Sequence, residues 1–164
     1  MSQYARPSFE AKRCSPAELA QCTAKLAHPL VFTNGVFDIL HRGHVTYLAQ
    51  ARALGAGLVV ALNSDASARR LGKGDDRPIN TLADRMAVVA ALEAVSLVTW
   101  FEEDTPLTLI LSCKPGVLVK GGDWKPESII GAADVKSWGG SVHSIPFEHE
   151  RSTTALVDKI RKAQ

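Results

Sequence analysis

The chain lacks the cysteine pattern that would staple a small fold. Cys14, Cys22 and Cys113 are odd in number and match no zinc spacing. Reduced thiols in a reducing cytosol are expected. No apolar run reaches the roughly 18 residues of a membrane span. Residues 1–14 lack the apolar core of a signal peptide. Neither charge dominates: 19 Lys and Arg against 17 Asp and Glu leave a formal charge of +2. A nucleic-acid binder needs a broad basic surface, which this balance does not supply. No repeat, no low-complexity tract and no G-x-G-x-x-G after a strand is present, which disfavours a dinucleotide dehydrogenase. These absences lead to the expectation of a soluble, cytoplasmic globular protein with no nucleic-acid or membrane partner.

What is there suits one domain. At 164 residues and 46% hydrophobic, the chain can bury a core without metals or disulfides. Residues 1–28 read as an N-terminal arm and helix, and residues 29–164 as the main domain. The first 14 residues are polar and aperiodic, which predicts a loose arm. Ser15-Pro16 is a cap followed by proline at the first helical position. The helix should run to about Ala27, with Leu19, Cys22, Leu26 and Ala27 on one face, and end before His28-Pro29.

Beyond Pro29, short apolar runs at 30–34, 57–63, 97–100, 116–120 and 141–145 predict strands. Helical spacing falls between them. The helix at 43–55 should turn Val45, Leu48, Ala49 and Ala51 inward, and Thr81 should cap the helix at 83–92. Strands apolar on both faces are typical of buried parallel sheets. The predicted fold class is α/β: a Rossmann-like open parallel five-stranded sheet with helices on both faces. In such sheets ligands sit beyond the carboxyl ends of the strands, where the winding reverses. Every unusual polar cluster of this chain follows a predicted strand.

The strongest cluster is Thr33-Asn34-Gly35-Val36-Phe37-Asp38-Ile39-Leu40-His41-Arg42-Gly43-His44. Gly35 permits a tight turn and close approach of a ligand to backbone. Gly43 lies between two histidines at a helix start, where free N–H groups favour phosphate. His41 and His44 can donate to the same polyanion, more strongly when protonated. No third ligand accompanies them, so no metal site is assigned. Ser152-Thr153-Thr154 at the last helix is a second anion site. After the fourth strand, Gly121-Gly122 leaves room at the backbone, Asp123 can accept from ribose hydroxyls or a base amine, and Trp124 can stack or pack. Lys73, between Gly72 and Gly74, can swing onto phosphate. Arg77 and Arg85 suit a substrate phosphate or structural ion pairs. Asn63-Ser64-Asp65 is a further strand-end cluster.

The G-x-F-D-x-x-H-x-G-H pattern resembles the signature of the HxGH nucleotidyltransferases, the cytidylyltransferase-like superfamily. The resemblance implies that His41 and His44 hold a triphosphate and stabilise charge as its α-phosphate is attacked. It implies a catalytic part for Lys73, and nucleotide contacts from Thr33, Asn34, Gly35, Phe37, Asn63, Gly121, Asp123, Ser152, Thr153 and Thr154. Asp38, Arg77, Arg85, Lys120 and Trp124 become candidates for the second substrate. Some relatives carry an arginine five residues before the serine. This chain has Phe147 there, with Arg151 as one candidate replacement.

Across residues 30–160 the likeness narrows to the adenylyltransferases of ADP-heptose synthesis. It rests on TNGVFDILHRGHVTYLAQARALG, VALNSDASARRL, RPIN, DRMAVVAAL, FEEDTP, LVKGGDWKP and STTALVDKI. It implies ATP and heptose 1-phosphate as partners, Mg²⁺ carried with ATP, a stand-alone form without a fused kinase, and a homo-oligomer, a dimer or higher. Cytidylyl transfer to glycerol 3-phosphate fits the same motifs and is one rival. A nucleotide-binding protein without turnover is another, and it would need a broken phosphate motif.

Overall fold

The computed structural model describes residues 4–72, 74, 76–149 and 152–163. Its centre is a five-stranded sheet of β1 (Leu30–Gly35), β2 (Gly57–Asn63), β3 (Leu97–Phe101), β4 (Val117–Gly121) and β5 (Ser141–Ile145). The order is β3-β2-β1-β4-β5 and every pairing is parallel. The chain winds outward from β1 through β2 to β3, then crosses back to β4 and β5. The reversal therefore falls between β1 and β4, which places a crevice beyond their carboxyl ends.

The helices are α1 (Leu19–Thr23), α2 (Arg42–Arg52), α3 (Asp65–Arg70), α4 (Leu82–Ala90), α5 (Leu107–Cys113), α6 (Ala132–Ser137) and α7 (Thr153–Lys162). Alternation along the strands divides the core. Leu30, Phe32, Val59, Ala61 and Leu118 face one side, against Leu19, Leu109, Ile110 and Val135. Val31, Leu58, Val60, Leu62 and Val119 face the other, against Leu48, Ala51, Met86 and Val89. This is why β2 is buried at all seven positions. Each fully buried Leu or Val contributes about 1.5–3 kcal/mol by leaving water.

Caps set the helix starts. The Thr81 hydroxyl accepts from the Asp84 N–H and donates to the Asp84 carboxylate, so residues 81–84 form a reciprocal box. Ser64 caps α3 by accepting from the Ser67 N–H, and Ser152 caps α7 by accepting from the Ala155 N–H. Among the described residues no helix is long and apolar enough to cross a membrane.

Three local expectations change. The first 14 residues are not a loose arm where they are described. Residues Ser8–Lys12 form a 3-10 helix, Arg13 bridges to Val98 in parallel, and the Cys14 N–H donates to the Val98 carbonyl at 2.9 Å. The segment thus covers the outer edge of β3, which would otherwise present unpaired backbone. The helix expected to run to Ala27 is shorter: a 3-10 turn at Pro16–Glu18, then α1. The Thr23 hydroxyl folds back to the carbonyls of Leu19 and Ala20, and the chain must turn to enter β1. On α2 the buried stripe is Gly43, Tyr47, Leu48 and Ala51, while Val45 and Ala49 face outward. The Tyr47 phenol decides this rotation, because it reaches under the sheet end to the Thr33 hydroxyl.

Candidate active site

The end of β1 supplies the floor. Beyond Gly35 the backbone turns through Phe37, which holds φ +50°, a conformation costly for a residue with a side chain. The turn carries the Phe37 ring beneath His44, with centroids 5.4 Å apart and edge to face. His41 caps α2, and its carbonyl accepts from the His44 N–H at 3.0 Å. The two imidazoles stack with centroids 3.9 Å apart and planes 25° apart. Gly43 leaves room for this stacking: a Cβ at that position would stand 3.0 Å from His41 Cε1 and 3.1 Å from its Nδ1 and would crowd the ring.

Opposite the histidines lies the start of α7. The Ser152 oxygen accepts from the Ala155 N–H at 3.0 Å, and its hydroxyl keeps a proton it can donate. The Thr153 hydroxyl donates to the Ile39 carbonyl at 3.1 Å and ties α7 to the loop before His41. Histidines and hydroxyls line one cavity of about 350 Å³, together with Asn34, Gly35, Phe37, Lys120, Gly121 and Trp124. Oriented N–H groups and basic side chains around such a volume form an anion cradle.

At Gly121 a Cβ would meet Phe147 Cζ at 2.8 Å and Tyr47 Cζ at 3.2 Å, so only glycine lets these rings close the wall. Phe147 packs edge to face on Tyr47 at 5.6 Å and on His44 at 6.4 Å. Phe147 thus gives the cavity an aromatic wall. Burial pushes the Tyr47 phenol pKa upward, which keeps it a neutral hydrogen-bonding group.

A second cavity of about 270 Å³ shares Asn34, Gly35, Val36, Lys120 and Trp124 with the first. Its far side carries Asn63, Asp104, Thr105 and Ser128, with Leu71, Pro106, Ile129 and Ile130 as apolar surface. Asn63 is fastened by its amide to the Ser67 hydroxyl, which in turn donates to the Glu103 carbonyl.

A closed polar cluster borders this open site. Asp38 is 5% exposed. It accepts from Arg77 Nε at 2.8 Å, from the Ile79 N–H at 2.9 Å and from the Asn80 N–H at 2.9 Å. Burial alone would raise its pKa. The N–H donors of Asn80 and Ile79 and the Arg77 guanidinium outweigh burial and hold it below the usual carboxylate range. Arg85 is 1% exposed and donates to the carbonyls of Asn80 and Val36 and to the Asp65 carboxylate.

The structure therefore sorts the residues singled out from sequence. Asn34, Gly35, Phe37, His41, His44, Lys120, Gly121, Trp124, Ser152, Thr153 and Thr154 converge on the first cavity. Asp38 and Arg77 border it but are spent on each other and on residues 79–80. Thr33 is buried below the floor, hydrogen-bonded to Tyr47. Asn63 belongs to the second cavity, Asp123 stands exposed outside both linings, and Arg85 lies outside both as part of the scaffold. Lys73 and Arg151 fall outside the described residues. Sequence reasoning missed Tyr47, Asp104, Thr105 and Ser128 as lining residues. The position of Asp104-Thr105 after β3 was the available signal, under the same strand-end rule that located the other clusters.

The chain is similar to known proteins in both sequence and fold. A family model described as cytidylyltransferase-like covers residues 32–158. The D-beta-D-heptose 1-phosphate adenylyltransferase of Bordetella bronchiseptica is 60% identical over 156 residues, covering 94% of this chain and 96% of that protein. The bifunctional protein HldE of Hahella chejuensis is 58% identical over 135 residues, covering 82% of this chain and 28% of that longer protein. Among solved structures, a lipopolysaccharide core biosynthesis protein from Thermoplasma volcanium aligns with TM-score 0.60 at 29% identity, over 74% of this chain and 98% of that one. A pantoate-beta-alanine ligase from Francisella tularensis shares the fold, with TM-score 0.58 at 13% identity over 89% of this chain and 72% of that one. With stacked histidines facing a helix start across the sheet's switch point, and a family model spanning most of its length, the chain belongs to the cytidylyltransferase-like nucleotidyltransferases.

Proposed function

We propose that this enzyme transfers the adenylyl group of ATP to D-glycero-D-manno-heptose 1-phosphate, giving ADP-heptose and pyrophosphate for lipopolysaccharide core synthesis in the cytoplasm. The observation that carries this reading is the pair of cavities meeting at Asn34–Val36 and Lys120. A displacement at phosphorus brings nucleophile and leaving group in from opposite sides. The first cavity has the anion-binding surface a triphosphate needs. The second has hydroxyl, amide and carboxylate groups suited to a polyhydroxylated sugar.

In this arrangement Ser152, Thr153, Thr154 and the α7 N-terminus hold the β- and γ-phosphates. His41 and His44 flank the α-phosphate and stabilise the charge that gathers on its bridging oxygen as that bond breaks. The heptose phosphate oxygen attacks the α-phosphorus in line, with Lys120 neutralising repulsion between the two phosphates. The nucleoside lies against Gly121 and Trp124, with Asp123 reaching its ribose from the rim. Asn63, Asp104 and Thr105 receive the sugar.

Among the described residues no group of three or more His, Cys, Asp or Glu could hold a metal ion. Asp38, the carboxylate at the first cavity, already has three donors. These residues fit Mg²⁺ only as an ion bound by phosphate oxygens and water, supplying charge neutralisation to the triphosphate.

The relative that is 60% identical over nearly the whole chain favours this acceptor over glycerol 3-phosphate, and the intact histidine pair argues against binding without turnover. The test is pyrophosphate release from ATP and from CTP with heptose 1-phosphate or glycerol 3-phosphate. Release is expected with ATP and heptose 1-phosphate alone. No release from that pair, or preference for CTP, overturns the assignment.

A further inference from the structure

We propose that Cys14 and Cys22 form a dithiol site that closes reversibly to a disulfide and pins the N-terminal segment to α1. Their sulfurs are 2.7 Å apart, already inside ordinary contact distance and close to the ~2.05 Å of a disulfide. The two cysteines belong to different pieces of structure. Cys14 is 5% exposed, and its N–H donates to the Val98 carbonyl at the edge of β3. Cys22 is half-buried on α1, packed against the same core cluster. The bridge would covalently join the segment that covers the sheet edge to the helix beneath it.

The asymmetry of exposure sets the order of events. Cys22, as thiolate, attacks one sulfur of a small-molecule disulfide such as oxidised glutathione and expels one thiolate. Cys14 loses its proton to water, attacks Cys22 Sγ, and expels the second thiolate. One protein disulfide forms, two small thiols are released, and the oxidant takes up two electrons. Burial, helped by the neighbouring Cys22 and Glu18, pushes the Cys14 thiol up to about 12. It is therefore the resolving thiol, and proximity to Cys22 compensates for its low thiolate population. Cys113 is buried, and that burial pushes its thiol to about 12 as well.

The test treats the full chain with oxidised glutathione without denaturant, alkylates remaining thiols and maps tryptic peptides. Cys14 and Cys22 share the peptide 14–25. That peptide should appear unalkylated and lighter by two hydrogens, Cys113 should be alkylated after unfolding, and dithiothreitol should restore both thiols. The oxidised protein should melt at a higher temperature, and Cys22→Ser should remove both the bridge and the rise. Neither cysteine lines either of the two cavities described above, so pyrophosphate release should proceed at the same rate in both forms. Three alkylated cysteines after oxidation, Cys22 arrested as a mixed disulfide, or a bridge to Cys113 or a second chain would overturn the proposal. If Cys22→Ser does not fold, the wild-type map and a Cys113→Ser variant decide it alone.

Discussion

Two polar clusters leave the carboxyl end of β1 within a few residues of each other, and they differ in what surrounds them. Around Asp38 every acceptor meets a donor from residues 77–80. Around His41, His44 and Ser152 the polar groups border a cavity. The first cluster is closed on itself and holds the loop; the second lines the cavity to which we assign the triphosphate. Buried charges with complete shells are scaffolding, whereas polar groups around a cavity are offered to a ligand. By sequence alone Asp38 stands in the same motif as His41, and Arg77 suits either a substrate phosphate or an ion pair.

The sharpest way to break this distinction is at Asp38. Asp38→Ala should cost about 3–5 kcal/mol of stability, because it leaves the Arg77 guanidinium buried without its partner. A denaturant melt measures this. Acid should produce the same loss gradually. The folded pKa of Asp38 lies below its unfolded value of about 3.9, so its stabilisation is complete above that value and disappears as pH falls through the folded pKa. Asp38→Asn should flatten that part of the acid melt.

On the open side, His44→Ala should cut turnover about a hundredfold or more while the melting temperature hardly changes. Near-wild-type turnover in a folded variant would remove the role given to the histidines. Thr105→Val should raise KM for the sugar phosphate about fivefold, through one lost hydrogen bond, and leave KM for ATP unchanged. A shift in the ATP value instead would exchange the occupants of the two cavities. Ser152→Ala combines both kinds of role. It should cost about 1 kcal/mol by removing the α7 cap, and should also weaken ATP binding severalfold. A melt shift without a KM change would make Ser152 a cap only.

Strands were legible because a buried parallel sheet demands apolar runs, and β2 and β5 fall on the expected 57–63 and 141–145. Helix starts were legible wherever a hydroxyl cap preceded apolar spacing, as at Thr81 and Ser152. The inward face of α2 was not, because Val45 is more apolar than Tyr47 by local preference. Only the reach of Tyr47 to Thr33 reverses that order. The edge position of residues 13–14 was equally hidden, since polar sequence carries no sign of the backbone partner Val98 supplies.

Spacing and residue chemistry were sufficient for the order of elements and the parallel sheet, and they made the segments at 33–44 and 152–154 the candidates for anion binding, because each reading depends on neighbours close along the chain. The sharing of a wall between two cavities, and the division between polar groups closed on one another and those set at a cavity, depend on partners tens of residues apart. Asp38 is the clearest case. Its charge is local, but its role is set by N–H groups of residues 77–80 that only packing of the whole domain brings to it.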